Sequence, residues 1–227
     1  MTSNRLFSEA IGTFALVFVG CGAVVVDGLY GGALGHIGIN FVFGLIVMAV
    51  IYATGNVSGA HINPAVTIGF WAAGRFPASA VPAYIAAQCI GAVAAAAVLW
   101  YLFPTHETFG ATLPAMPITK AFVVEVLISF LLMFVVLNVS TGHKEKGIMA
   151  GVAVGGVVAL NALFAGQLTG ASMNPARSLG PAIFSGNLDV MWLYVTAPVA
   201  GMLLARPACR WTQGADCCPS PYSNEET

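Results

Sequence analysis

Two asparagines, Asn63 and Asn174, each stand before a Pro and an Ala in a pair of nine-residue phrases: Ser58-Gly59-Ala60-His61-Ile62-Asn63-Pro64-Ala65-Val66 and Thr169-Gly170-Ala171-Ser172-Met173-Asn174-Pro175-Ala176-Arg177. Asn at an N-cap followed by Pro at the first helical position signals a helix start. The apolar run after each is too short to cross a bilayer. The chemistry such a pair offers is that of neutral amides and helix dipoles. Each half-helix carries the equivalent of roughly +0.5 charge at its N-terminus, and two such ends at one depth repel cations and protons. The residues before each Asn, with Gly59, Ala60 and His61 singled out in the first copy, can turn carbonyl oxygens toward a lumen as a line of acceptors. An Asn that donates to the oxygen of a passing water turns that water's hydrogens away from its neighbours, which interrupts a proton-conducting chain.

The copies differ at their ends, where Val66 in the first is matched by Arg177 in the second. A charge at membrane depth costs at least about 2.5–3.5 kcal/mol on insertion scales, so Arg177 must face protein, water or a pore. Snorkelling to the outer interface is one solution. A pore position is the other, and it makes Arg177 a fixed positive charge with hydrogen-bond donors. His61 is read as pore-lining, with a packed core histidine as the alternative. Glu9 and Glu125 are the carboxylates deep in apolar stretches, one near the start of each half. The structural reading makes each an acceptor for backbone N–H groups of the half-helix loops; a proton-coupled transporter would use such groups for ions.

These residues need a membrane scaffold around them. The chain has 227 residues, is 58% hydrophobic and 7% charged, and has a mean hydropathy of +0.86; soluble domains are about 25% charged. Nearly uncharged stretches cover residues 6–26, 37–53, 81–103, 121–139, 148–165 and 190–205. Most approach the ~20 residues that span hydrocarbon, so six spans are predicted, the last being the shortest. The first is read as a retained helix, since no small-residue cleavage site follows it. With the N-terminus inside, Arg5, Arg75, Lys144, Lys146, Arg206 and Arg210 fall on one side, which places both termini in the cytoplasm. The five cysteines make no framework: Cys21 and Cys89 are packing residues, and Cys209, Cys217 and Cys218 are expected to be reduced thiols near a disordered tail, 213–227.

Asn174 follows Asn63 by 111 residues, and the same offset relates Gly44 to Gly155, Gly55 to Gly166, Gly59 to Gly170 and Gly69 to Gly180. The chain is an internal repeat, read as 1–104 and 105–212. Three spans per half reverse the second copy, so matched residues meet about a pseudo-two-fold axis near mid-membrane. Gly44 and Gly155 would let two helix backbones approach closely. Non-helical backbone at that depth, read as 55–62 and 166–173, is tolerated only when it is buried in protein or lines a water-filled cavity. The expected fold is therefore an all-α membrane protein of six transmembrane helices plus two re-entrant half-helices. His36, His106 and His143 are placed in loops without metal-ligand spacing, and no metal or other cofactor is expected. No nucleophile–base pair, phosphate-cradling loop or redox motif is present, so no enzyme and no nucleic-acid partner is read. An alternating-access transporter built from the same inverted repeats is the alternative to a channel; a non-conducting junctional protein is a third reading.

The paired Asn-Pro-Ala boxes, Arg177 after the second, and the six-plus-two organisation resemble the major intrinsic protein family, the aquaporins and aquaglyceroporins. The resemblance implies a homotetramer with one pore per subunit, sited in the cell membrane. It also implies a narrow outer filter made of Phe43, Ala162, Ala171 and Arg177. Strictly water-selective members carry His where this chain has Ala162, so a wider, less polar filter is implied. Glycerol facilitators carry Asp after the Arg, where this chain has Ser178. The run from Gly170 to Pro181 and the Gly20-Cys21-Gly22 phrase are most similar to the nodulin-like branch. That branch implies small uncharged solutes besides water: glycerol, urea, ammonia and the neutral hydroxides of boron and arsenic.

Overall fold

A computed structural model describes residues 2–140 and 148–214. The described chain is helical throughout, in the order α1 (Ser3–Leu29), α2 (Gly35–Ser58), α3 (Pro64–Ala72), α4 (Val81–Leu102, entered through a single 3-10 turn at Ala78–Ala80), α5 (Ile118–Val139), α6 (Ala150–Thr169), α7 (Pro175–Ser185) and α8 (Met191–Gln213). Five of the long helices are apolar enough to cross a membrane: α1, α2, α4 with its leading turn, α5 and α6. The sixth, α8, is 23 residues long and more polar, because it contains Arg206 and Arg210 together with Pro198 and Pro207. It extends past the predicted 190–205, and its internal prolines do not break it. The short helices α3 and α7, of 9 and 11 residues, are the two half-helices.

Small residues set the close helix pairs. Helices α2 and α6 cross where Gly44 meets Gly155: a Cβ built on Gly44 would lie 2.6 Å from the Gly155 carbonyl oxygen, and one on Gly155 2.5 Å from that of Gly44. In hydrocarbon, association rests on such packing rather than on water exclusion. Helix α1 packs on α4 and α2, while α5 packs on α8 and α6. Large apolar side chains such as Ile37, Ile90, Leu160 and Phe164 point outward, as expected of helices solvated by lipid.

Three sequence expectations need correction. The non-helical loops are shorter than 55–62 and 166–173, because α2 runs to Ser58 and α6 to Thr169. Each helix ends at its second glycine: Gly59 (φ 89°) donates to the Gly55 carbonyl and Gly170 (φ 81°) to that of Gly166, both in the left-handed C-cap conformation that glycine adopts without strain. His36 is in the first turn of α2 rather than in a loop. Cys21 and Cys89 are free and lie within α1 and α4. Cys209 is disulfide-bonded, against an expectation that rested on compartment alone. Lys144, Lys146 and His143, and the tail beyond residue 214, lie outside the described residues.

Candidate functional site

The backbone ahead of each half-helix repeats an unusual conformation. Ala60 (φ 47°) and Ile62 (φ 44°) take positive φ in the first loop, and Ala171 (φ 43°) and Met173 (φ 52°) do so at the matched places in the second. For a non-glycine residue this is uncommon, and for β-branched Ile62 it is a strained state that surrounding bonds must hold. A buried carboxylate supplies those bonds in each half. Glu9 on α1 accepts from the Ser58 hydroxyl (2.7 Å) and His61 N–H (2.9 Å) at Oε1, and from Ile62 N–H (2.7 Å) and Gln88 Nε2 (2.8 Å) at Oε2. Glu125 on α5 accepts from the Thr169 hydroxyl (2.7 Å), Ser172 N–H (2.9 Å) and Met173 N–H (3.0 Å). Both carboxylates are fully buried.

The two asparagines act at both ends of their side chains. Asn63 Oδ1 accepts from Ala65 N–H at 2.9 Å and Asn174 Oδ1 from Ala176 N–H at 3.0 Å, which caps each half-helix. Pro64 and Pro175 follow at N1, where no N–H is needed. The amide nitrogens cross the molecule: Asn63 Nδ2 donates to the Met173 carbonyl (2.8 Å) and Asn174 Nδ2 to the Ile62 carbonyl (2.9 Å). One N–H of each amide ties the halves together, and an amide carries two. The second is available to whatever occupies the space beside it.

That space is a cavity of about 140 Å³ lined by both asparagines, by Gly59, Ala60 and His61, and by Phe43, Ala162, Ala171 and Arg177. By the same measure a single water needs only about 10–15 Å³, so several can stand in file. The lining extends from Asn40 near the start of α2 to Ser140 and Ala150 at the ends of α5 and α6. Pro64, Ala65, Pro175 and Ala176 are buried behind it.

Arg177 does not snorkel. It is 5% exposed, its Nη1 donates to the Gly110 carbonyl at 2.8 Å, and its guanidinium carbon sits 4.9 Å from the centre of the Phe43 ring. Gly110 and the loop that carries it went unread in the sequence, since nothing in their composition marks a carbonyl aimed at an arginine. His61 is both packed and pore-lining: its ring stacks on Phe70 at 4.7 Å and its Nδ1 pairs with the Thr67 hydroxyl at 3.1 Å. In the second half Ser172 and Ser178 occupy the places of His61 and Thr67, with hydroxyls 2.5 Å apart and Thr112 donating to Ser178. Tyr84 and Tyr194, also unread, donate to the carbonyls of Ser58 (2.8 Å) and Thr169 (2.6 Å) at the two helix ends.

A family model described as Major intrinsic protein matches residues 2–207. The chain belongs to the major intrinsic protein family. Among its relatives, the putative aquaporin NIP4-1 of Arabidopsis thaliana is 48% identical, the match covering 88% of this chain and 71% of that one. Nodulin-26 of Glycine max is 44% identical over 88% of this chain and 74% of its own length. Among solved structures, the aquaglyceroporin from Plasmodium falciparum superposes with a TM-score of 0.78 at 25% identity, covering 90% of this chain and 93% of that one. This major intrinsic protein is thus a multi-pass membrane protein, and its relatives include proteins named as aquaporins and one named as a nodulin. Its resemblance to the nodulin-like branch, read from the second motif and its flanks, agrees with these relatives.

Proposed function

We propose that this chain is a passive transmembrane channel for water and small uncharged solutes that excludes protons and ions. The observation that carries the reading is one cavity passing the junction of two half-helix N-termini, with Asn63 and Asn174 at that junction and no carboxylate among the described residues lining it. Neutral amides and one arginine can strip and replace the hydration of a neutral molecule, but they offer no coupling-ion site, so nothing in the lining serves a transporter cycle. Glu9 and Glu125, the groups such a cycle would need, spend their oxygens on backbone and side-chain donors of the loops.

In this reading Phe43, Ala162, Ala171 and Arg177 are the selectivity filter, and the small pair at 162 and 171 makes it wide enough for glycerol, urea, ammonia or neutral metalloid hydroxides. The aquaporin names of the relatives support water as a permeant, and the aquaglyceroporin name of the superposed structure supports glycerol. The repeat units are residues 1–104 and 105–212. The chain works as a homotetramer in the cell membrane with both termini cytoplasmic, an orientation supported by Arg5, Arg75, Arg206 and Arg210 lying toward one side. No catalytic step is assigned to it.

Light scattering from proteoliposomes under an osmotic step tests the proposal. Shrinkage much faster than in empty vesicles, non-saturating in solute and indifferent to ion gradients, is the expected result. Saturation, dependence on an ion gradient, or a rate equal to that of empty vesicles would overturn it.

A further inference from the structure

The half of the cavity that holds Arg177 contains a second polar device, built from His36 and Asn40 on α2 and absent from the other half. The residues at the repeat offset are Gly147 and Gly151. Asn40 lies three residues, nearly one helical turn, outward from Phe43 and lines the same cavity while being only 5% exposed. An uncharged polar side chain buried in an apolar wall must have its hydrogen bonds accounted for. Its Nδ2 faces the His36 ring, 3.1 Å from both Nδ1 and Nε2. The ring is in turn fixed from the other side, with His36 Nε2 2.9 Å from the Leu163 carbonyl of α6, the residue next to Ala162. Gly166 makes the room: a Cβ there would come within 3.0 Å of His36 Cε1 and 3.3 Å of Asn40 Oδ1.

These contacts dictate an order of protons. A carbonyl can only accept, so Nε2 of a neutral ring carries the hydrogen and Nδ1 is left as an acceptor. With Nε2–H spent on the Leu163 carbonyl, Nδ1 is the acceptor the ring offers, and an NH₂ turned toward the ring is the orientation that gives the Asn40 amide a hydrogen bond there. Its carbonyl oxygen, which receives no protein donor among the described residues, is left to the cavity. We infer that Asn40, oriented by His36, is a specificity-determining residue that presents a hydrogen-bond acceptor outside the filter, opposite in character to the donors of Arg177. This inference rests on the channel reading above and adds a substrate class to it. The solutes favoured are those carrying several O–H or N–H donors beside acceptors, such as a triol or urea. The acceptor compensates for a filter in which Ala162 and Ala171 contribute no polar side chain.

The test is a ratio measured on one batch of vesicles: glycerol permeability over water permeability for wild type, Asn40→Leu and His36→Phe. Leu is near in size to Asn and removes the acceptor. Phe keeps a ring but frees the amide to turn. Each variant is expected to lower the ratio by about two- to tenfold, the worth of one hydrogen bond in a barrier, with water changing much less and the double variant adding little to either single one. A ratio equal to wild type in both variants overturns the inference, as does full additivity, which would make the two residues independent. Loss of folded protein lowers both fluxes and leaves the ratio of the remaining channels readable; where Asn40→Leu yields no flux at all, Asn40→Ala, which also removes the acceptor, takes its place in the comparison, and an unchanged ratio there overturns the inference equally. Wild-type vesicles no faster than empty ones would instead refute the channel reading itself, so the two failures are distinguishable.

Discussion

Replacing Glu125 by Gln probes whether the carboxylate holds the pore-lining loop or merely fills space beside it. The carboxylate receives three donors: the Thr169 hydroxyl and Ser172 N–H on Oε1, and Met173 N–H on Oε2. Gln has the same shape and one fewer acceptor. Its best rotamer keeps the oxygen on Thr169 and Ser172 and sets an NH₂ against the Met173 N–H. The variant then loses one charge-assisted bond and strands a buried donor, each worth about 1–3 kcal/mol, while burying a neutral group costs less than burying a charged one. The net destabilisation is about 2–4 kcal/mol. For a chain of this length each kcal/mol moves the thermal midpoint by about 2–4 °C, so a fall of roughly 5–15 °C is expected. The effect reaches the pore because Met173, held at φ 52°, offers its carbonyl to Asn63. Tryptophan fluorescence of the detergent-solubilised protein on heating measures the first quantity, and water flux per folded protein in vesicles the second. A midpoint within about 2 °C of wild type, together with unchanged water flux, would refute the argument, since the loop would then keep its strained backbone without the bond.

Three further outcomes are expected. Ala162→His should lower glycerol or urea permeability more than water permeability, since each ~1.4 kcal/mol added to the larger solute's barrier is a tenfold loss of flux; an equal fall in both would show that position 162 does not set the filter. Mercurials should inhibit weakly, because neither Cys21 nor Cys89 lines the cavity and Ala171 in the filter offers no thiol; strong block that survives replacement of both cysteines would contradict this. Gly44→Val must push α2 from α6, since even the first added carbon lies 2.6 Å from the Gly155 carbonyl oxygen and from Ala159 Cβ; overpacking of this kind costs about 1–3 kcal/mol, and an unshifted thermal midpoint would argue that the helices do not cross there.

What could be read from the sequence was whatever has a period, a cap or a charge out of place. The helices announced themselves by apolar runs, and the half-helices by Asn-Pro starts at one offset. Arg177 and the two glutamates stood out because charge at membrane depth needs a reason. Bonds whose two partners are far apart in the chain and individually ordinary could not be read. No local signal marks Gly110 as the acceptor for Arg177, and Tyr84 and Tyr194 look like any tyrosine in a span until their hydroxyls are seen on the ends of α2 and α6. The loop boundaries were misread for a related reason. Two glycines four residues apart each invited a helix end, and only the C-cap bond from Gly59 to Gly55, repeated from Gly170 to Gly166, decides for the second of them.

The positive-φ residues explain why these loops need a buried carboxylate rather than another apolar contact. Alternating left-handed and extended residues cannot make helical hydrogen bonds, so the N–H groups of His61, Ile62, Ser172 and Met173 all require outside acceptors. A single carboxylate offers two oxygens and about four lone-pair sites in one plane, enough to collect two successive N–H groups and a neighbouring hydroxyl. With their N–H groups satisfied from behind, the Ile62 and Met173 carbonyls are each free to accept the amide of the opposite half. The strain at Ile62 is thus held in place by Glu9, and it sets where Asn174 must stand. Each half therefore fixes the other's asparagine, and a pore at their junction cannot be assembled from one half alone.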